Sequence, residues 1–242
     1  MKLAYTVISI DDSRAGTKRA IRERLSFVPE ITGIEFVDGR NAPQLDACLR
    51  GYQVNEALYD GELGVWFSQI NCWRYLAQSD LDALFVLEDD AQVDSNIEAG
   101  LRRFLAQLPT GWDFLALAIR PDQRQDYYYD RKFRPDGSWY LVSQSMHSLE
   151  SSAHHFGSDI LATAYQGYCT LAMLYSKVGA QKLLELAGSK IDEPVDCFVF
   201  REHHKGNLRG YAPKPYLRHF VTHRDQGTLA RSTAIHGDRI RR

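Results

Sequence analysis

The sequence predicts an α/β fold: a mostly parallel central sheet covered by helices. Short β-branched and apolar runs alternate with helix-period segments through the first half of the chain. Residues 83–87 are apolar without interruption, as expected of a short strand buried within such a sheet. The 242 residues, 44% hydrophobic and 25% charged, are enough to build a helix-covered core and fit an ordinary globular chain.

Residues 3–10, rich in β-branched and apolar side chains, form the expected first strand. A polar turn over 11–16 leads into a helix over 17–27, with Ile21 and Leu25 on its inner face. A second short strand is expected over 34–37, ended by the turn pair Asp38-Gly39, and residues 51–60 read as an irregular connection. From 61 to 78, Leu63, Trp66, Phe67, Ile70, Trp73, Leu76 and Ala77 follow one helical face, wide enough for a helix buried under the sheet. After the strand at 83–87 come an amphipathic helix over 96–108, closed by Pro109 and Gly111, and a strand over 113–118. Between 119 and 156 the periodicity dissolves, which marks a functional loop or lid, with one strand expected inside it at 139–143. Order returns with a strand over 167–175 and a helix over 176–186 capped by Ser176. With no linker or repeat, the chain reads as a single domain, 1–242, of two halves: 1–118, and 119–242 with its long loop at 119–156.

A net charge of −2 provides no global field for nucleic acid, although it leaves room for a local basic patch. The 13 tyrosines suit carbohydrate or nucleobase contacts but pack equally well in an ordinary core. Cys48, Cys72, Cys169 and Cys197 contain no CxxC pair, so zinc and thioredoxin-type motifs are unsupported and reduced thiols are expected. The opening MKLAYTVISIDD turns acidic at once and reads as a strand rather than a signal peptide. No segment approaches the roughly 20 apolar residues of a membrane span. The expected location is the cytoplasm, at most peripheral to the inner membrane.

The stretch FVLEDDAQV carries the chemistry, because an apolar strand ends in Glu88, Asp89 and Asp90. Ligands of open α/β sheets bind beyond the carboxyl ends of the strands. Clustered hard oxygens there suit Mg²⁺ or Mn²⁺ holding a phosphate, and hence a nucleotide-linked substrate. The alternative is an acidic turn in which Asp94 and Ser95 open the next helix. Alternation along a strand puts Glu88 and Asp90 on one face with Asp89 turned away, an assignment that a turn at this point reverses. The adjacent pairs His154-His155 and His203-His204 diverge in any regular element and read as solvated surface.

These pieces occur in an order that resembles glycosyltransferase family 25, the lipooligosaccharide and collagen-type galactosyltransferases. VISIDDSR is similar to the family's opening strand, FVDG at 36–39 to its Ala-Val-Asp-Gly turn, and GELGVWFSQINCW at 61–73 to its Gly-Glu-x-Gly helix. FVLEDDAQV matches the acidic strand end almost residue for residue, followed by Trp112-Asp113. Gly167-Tyr168, Ser176, Gly179-Ala180, Leu183-Leu184, Pro194-Val195-Asp196 and Ser232-Thr233 complete the series. Departures are Gln69 in place of the usual His, Val65 in place of Cys and Ser9 in place of Asn.

The resemblance implies a GT-A-like (Rossmann-like) glycosyltransferase fold, with 1–118 as the nucleotide-sugar-binding half and 119–242 as the acceptor-binding half. It implies transfer of a hexose, galactose or glucose, from a UDP-sugar to a saccharide acceptor such as lipooligosaccharide, with inversion and with Mn²⁺ or Mg²⁺ as cofactor. The implied metal ligands are Glu88, Asp90 and a late histidine, His223 in preference to His219. Ser9, Asp38, Gly39, Glu62, Ser68, Gln69, Glu88 and Asp89 are the implied nucleotide-sugar contacts. Trp66, Phe67 and Trp73 are assigned to the core. Asp196 is the implied general base, with Asp192 and Glu193 as backups, and its alternative is an N-cap for the segment after it. A Glu at a helix start, such as Glu62, also serves the helix dipole. Two other functions compete: glycosylation of a modified base in DNA, with the basic stretches 14–24 and 239–242 tracking phosphates, and a non-catalytic sugar-nucleotide-binding module.

Overall fold

The computed structural model describes residues 1–10, 14–118, 127–133, 139–145, 155–156, 160–162, 170–213 and 220–223. Numbered in chain order, the strands of the central sheet lie side by side as β1 (Leu3–Ile8), β3 (Ala83–Glu88), β10 (Ala172–Ser176), β5 (Phe114–Ala116), β12 (Gly210–Pro213), β9 (Ile160–Ala162) and β8 (His155–Phe156). β1 and β3 are parallel from Leu3↔Ala83 to Ile8↔Glu88. β12 is parallel to β5, whereas β10 runs antiparallel to both β3 and β5, and β9 runs antiparallel to β12 and β8. The α/β class and the helical cover are as the sequence predicts, but the sheet is mixed rather than mostly parallel. A strand buried on both faces has the same apolar pattern in either direction, so pattern alone could not orient β10.

Alternating side chains divide the core in two. Leu84, Val86, Phe114, Ala116, Met173 and Tyr175 face α3 (Asp60–Gln78), α5 (Lys177–Ala187) and α6 (Val195–His204). Phe85, Leu87, Leu115 and Leu174 face α1 (Ala15–Arg24) and α4 (Ile97–Leu105). α3 lies under the sheet as its wide apolar stripe requires, and the Trp66 ring packs 6.0 Å from Trp73 and 4.9 Å from Phe198.

Other segments differ from the sequence reading. The expected strand at 34–37 does not form; the chain bridges β1 earlier, where Tyr5 N–H donates to Pro29 O (3.0 Å) and Ile31 N–H to Tyr5 O (2.7 Å). A short helix, α2 (Ala42–Leu49), starts at Asn41, whose side chain accepts the Gln44 N–H. Within 51–60, β2 (Gln53–Val54) pairs in parallel with β11 (Lys190–Ile191). The stretch 119–156 holds an antiparallel ladder of β6 (Tyr127–Phe133) with β7 (Trp139–Ser145), the latter covering the strand expected at 139–143. β4 (Ala91–Val93) pairs antiparallel with β13 (Val221–His223). Cys48, Cys72 and Cys197 are free thiols, and Cys169 lies outside the described residues. Among the described residues no helix is long and apolar enough to cross a membrane.

The start of α5 is locked to β5. Ser176 caps the helix by accepting the Gly179 N–H (2.9 Å) and donates to Trp112 O (2.8 Å). The fully buried Asp113 accepts from Lys182 Nζ and from the Arg209 N–H, both at 2.8 Å. Gly179 rests directly on this strand, so that a Cβ there would lie 2.1 Å from Asp113 O. Alanine in place of glycine normally favours a helix. Here Gly179→Ala should instead destabilise the protein by about 1–3 kcal/mol through overpacking against backbone. Gly16→Ala, in the first turn of α1 with nothing within 4 Å, should cost nothing. Urea unfolding of the two variants, read by circular dichroism, checks the opposite outcomes.

Candidate functional site

Because β1 and β3 are parallel and Ile8 registers with Glu88, Ser9 and the Glu88–Asp90 turn leave the sheet side by side. Glu88 ends β3. Its backbone N–H donates to Leu171 O (2.9 Å), and its carboxylate accepts the hydroxyl of the buried Thr170 (2.7 Å). Burial, and then the charge of Asp90, push the Glu88 carboxyl up to about 7; the Thr170 hydrogen bond opposes the rise, while Asp196 and Asp89 add to it. Asp196, over a hundred residues away in sequence, is thus within electrostatic reach of the acidic strand end. It stands in the first turn of α6, where its Oδ1 accepts the Cys197 N–H (2.8 Å). The helix is capped by Pro194, not by Asp196, which removes the N-cap alternative.

Asp89 and Asp90 form the turn beyond β3. Arg14, at the start of α1, reaches across with Nη1 to lie 2.6 Å from Asp89 Oδ1 and 3.4 Å from Asp90 Oδ2. Asp89 is therefore not turned away from Asp90: the turn breaks the strand alternation and directs both carboxylates at one guanidinium. The backbone of β13 sets His223 opposite Ala91, next in sequence to Asp90. His219 lies outside the described residues. Among the described residues no three His, Cys, Asp or Glu side chains group as a metal site.

The other expected contacts separate into two kinds. Asp38 is exposed enough to meet a ligand and is gripped by Arg40, at 3.0 Å from Nε and 3.1 Å from Nη2. Gly39 and Gly64 are the two sides of a backbone contact: a Cβ on Gly39 would meet Asp60 O at 2.0 Å, and one on Gly64 would meet Gly39 N at 2.7 Å. The FVDG turn and the GELG helix therefore fit together through their glycines.

Three residues assigned to the nucleotide-sugar instead work inside the fold. Glu62 accepts the Tyr59 N–H (3.0 Å) as part of a capping box. The buried Ser68 hydroxyl accepts the Val37 N–H (2.9 Å) and donates to Gly64 O (2.8 Å). Gln69, fully buried, accepts the Tyr175 hydroxyl (3.2 Å). Hydrogen-bonding capacity reads the same in a helix whether the group ends up in a site or a core, and burial decides between them.

The backups are paired elsewhere, Asp192 with Lys190 (2.9 Å) and Glu193 with Arg201. His203 is half-buried rather than fully solvated: its Nδ1 lies 2.9 Å from Leu208 O and 3.1 Å from Gly210 N, and its ring meets Phe114 edge-on, whereas the side chains of His154, His155 and His204 lie outside what is described. The basic stretch 14–24 is engaged by carboxylates, Arg19 by Glu23 (3.3 Å) and Arg22 by Glu30 (2.9 Å), besides the Arg14 contacts. That leaves little of a phosphate track, and 239–242 lie outside the described residues. Sequence reasoning missed Thr170 and the individual role of Arg14. An arginine where a helix cap should stand was the available signal for the latter.

Procollagen galactosyltransferase 1 of Danio rerio is 27% identical over 231 residues, 88% of this chain and 34% of that protein. A Bos taurus protein described as a probable inactive glycosyltransferase 25 family member 3 is 26% identical over 184 residues, 70% of this chain and 27% of its own. The chain thus spans about a third or less of the length of these relatives. A crystal structure of mouse xyloside xylosyltransferase 1, apo form, aligns over 85% of this chain and 70% of that chain at 16% identity, with a TM-score of 0.37. The family described as glycosyltransferase family 25 (LPS biosynthesis protein) matches residues 8–199, and the chain belongs to it.

Proposed function

We propose that the chain is a metal-dependent glycosyltransferase of GT-A-like fold that moves a hexose, galactose or glucose, from a UDP-sugar to a saccharide acceptor such as lipooligosaccharide, with inversion. One observation carries the proposal: where the parallel strands β1 and β3 end side by side, Glu88 closes β3 and the carboxylates of Asp89 and Asp90 follow it in a turn, both drawn onto the Arg14 guanidinium. Family membership and the names of the relatives support the reaction class. A cytoplasmic location at the inner membrane face belongs to the same reading.

The carboxylate oxygens of Glu88 and Asp90 suit a hard divalent cation, and the backbone of β13 sets His223 opposite Ala91, next in sequence to Asp90. Mn²⁺ or Mg²⁺ bound there supplies Lewis-acid stabilisation of the charge that develops as the nucleoside diphosphate departs. The protein's own residues do the rest. Ser9, just beyond β1, and Asp38 and Gly39, in the turn packed on the start of α3, hold the nucleoside. Asp196, at the positive end of α6, takes the proton of the acceptor hydroxyl. Burial, and then the neighbouring carboxylates, raise Glu88, so a cation bound at this strand end would favour its ionised form. A binding module without turnover is the second reading, favoured by the relative described as probably inactive.

Titration with UDP-galactose and UDP-glucose, with and without Mn²⁺, followed by a turnover assay, tests the reading. Mn²⁺-dependent binding and turnover are expected, and Asp90→Ala should abolish both; full activity of that variant refutes the metal assignment. Asp196→Asn should lower kcat roughly 10²–10⁴-fold with donor affinity kept, as for loss of a general base. Donor binding without turnover would favour the binding module. A pH test addresses the electrostatics directly. Glu88 holds its proton more tightly folded than unfolded, so its contribution to stability is fully present below pH 4.5, is lost as pH rises to about 7, and is flat above that. In EDTA, Glu88→Gln should therefore gain stability over the parent across that window, by about 3 kcal/mol at the plateau. Denaturant midpoints at pH 5 and 8 measure it, and a pH-independent difference would count against the clustered charges.

A further inference from the structure

Arg14 breaks a local rule. The residue before a helix is normally Ser, Thr, Asp or Asn, and the positive end of the helix dipole disfavours a cation. Arg14 is the N-cap of α1, makes no side-chain capping hydrogen bond, and has no acidic residue in the first turn to offset its charge. Its guanidinium crosses instead to the end of β3, to Asp89 Oδ1 (2.6 Å) and Asp90 Oδ2 (3.4 Å). The two carboxylates are 14% and 15% exposed while the Arg14 side chain is 42% exposed, so the contact is partly screened by water on the arginine side. A residue that violates a local preference while gaining elsewhere marks a site rather than a scaffold position.

The geometry points to Arg14 as a built-in counter-cation of the acidic strand end, competing with a divalent cation for Asp90. This rests on the metal reading given under Proposed function. Without a cation, Arg14 neutralises the Asp89–Asp90 turn; with one bound, it gives up the longer contact to Asp90 and keeps the shorter one to Asp89. The exchange needs no backbone movement, because both carboxylates already lie on one nitrogen of the guanidinium. Repulsion between the guanidinium and a divalent ion sharing one carboxylate sets the direction of the effect: removing the arginine strengthens cation binding.

Calorimetric titration of MnCl₂ alone into the metal-stripped full chain tests this with the parent, Arg14→Met and Arg14→Lys. Arg14→Met should bind Mn²⁺ about fivefold or more tightly than the parent. Arg14→Lys, which keeps the charge, should stay near the parent. In EDTA, Arg14→Met should also melt below the parent, with Mn²⁺ closing the gap. Unchanged or weaker Mn²⁺ binding by folded Arg14→Met overturns the inference and leaves the metal reading standing. Binding by neither protein overturns both. Binding by Arg14→Met but not by the parent supports the competition in its strongest form. Should Arg14→Met be unfolded in EDTA, recovery of its far-ultraviolet circular dichroism on adding Mn²⁺ supports the inference, and no recovery overturns it.

Discussion

Like charge gathered at the carboxyl end of β3 is the constraint that its surroundings answer. Burial is the main cost of keeping Glu88 ionised, and the charges of Asp90, Asp196 and Asp89 add to it. The fold answers with a hydroxyl from Thr170 on Glu88 and a guanidinium from Arg14 on Asp89 and Asp90. Neither partner would reach its carboxylate without the sheet. Parallel pairing of β1 with β3 brings the start of α1 to this edge, and antiparallel entry of β10 brings Thr170 to it. Such a concentration of charge is costly for stability and useful for holding a cation, the trade expected at a functional site.

Much of what marks the family in this sequence serves to pack the helices against the rest of the fold. Gly39 and Gly64 let the FVDG turn touch α3 backbone to backbone, and Ser68 ties the same helix to Val37. Ser176, Gly179 and Asp113 lock α5 to β5 in the same manner. The Gln69 departure sits inside this framework, bonded to Tyr175 in the core between α3 and β10. Its burial separates it from the acidic edge, so the departure by itself argues neither for nor against catalysis.

Periodicity and capping chemistry were legible before any coordinates. The α3 stripe, the apolar run of β3 and the Ser176 cap appear within a residue or two of where the sequence puts them. These are local effects, decided by side-chain spacing and by hydrogen bonds between near neighbours. Strand direction, the parallel β2–β11 pair, and the choice of Glu30 rather than 34–37 as the partner of β1 were not legible, because each depends on residues distant in sequence.

The sequence by itself determined the α/β class, the acidic strand end and the motif order that places the chain in its family, since composition, period and spacing are properties of the string. Only tertiary structure decided which polar residues are buried and engaged inside the fold. Glu62, Ser68 and Gln69 carry donors and acceptors as suitable as those of Ser9 or Asp38, yet packing buries all three and engages the Glu62 carboxylate, the Ser68 hydroxyl and the Gln69 amide oxygen within the fold. Asp196 joins the acidic edge and Arg14 turns toward it because the sheet brings their helices there. A side chain's chemistry is local, whereas its burial and its partners are set by contacts that close across the whole chain.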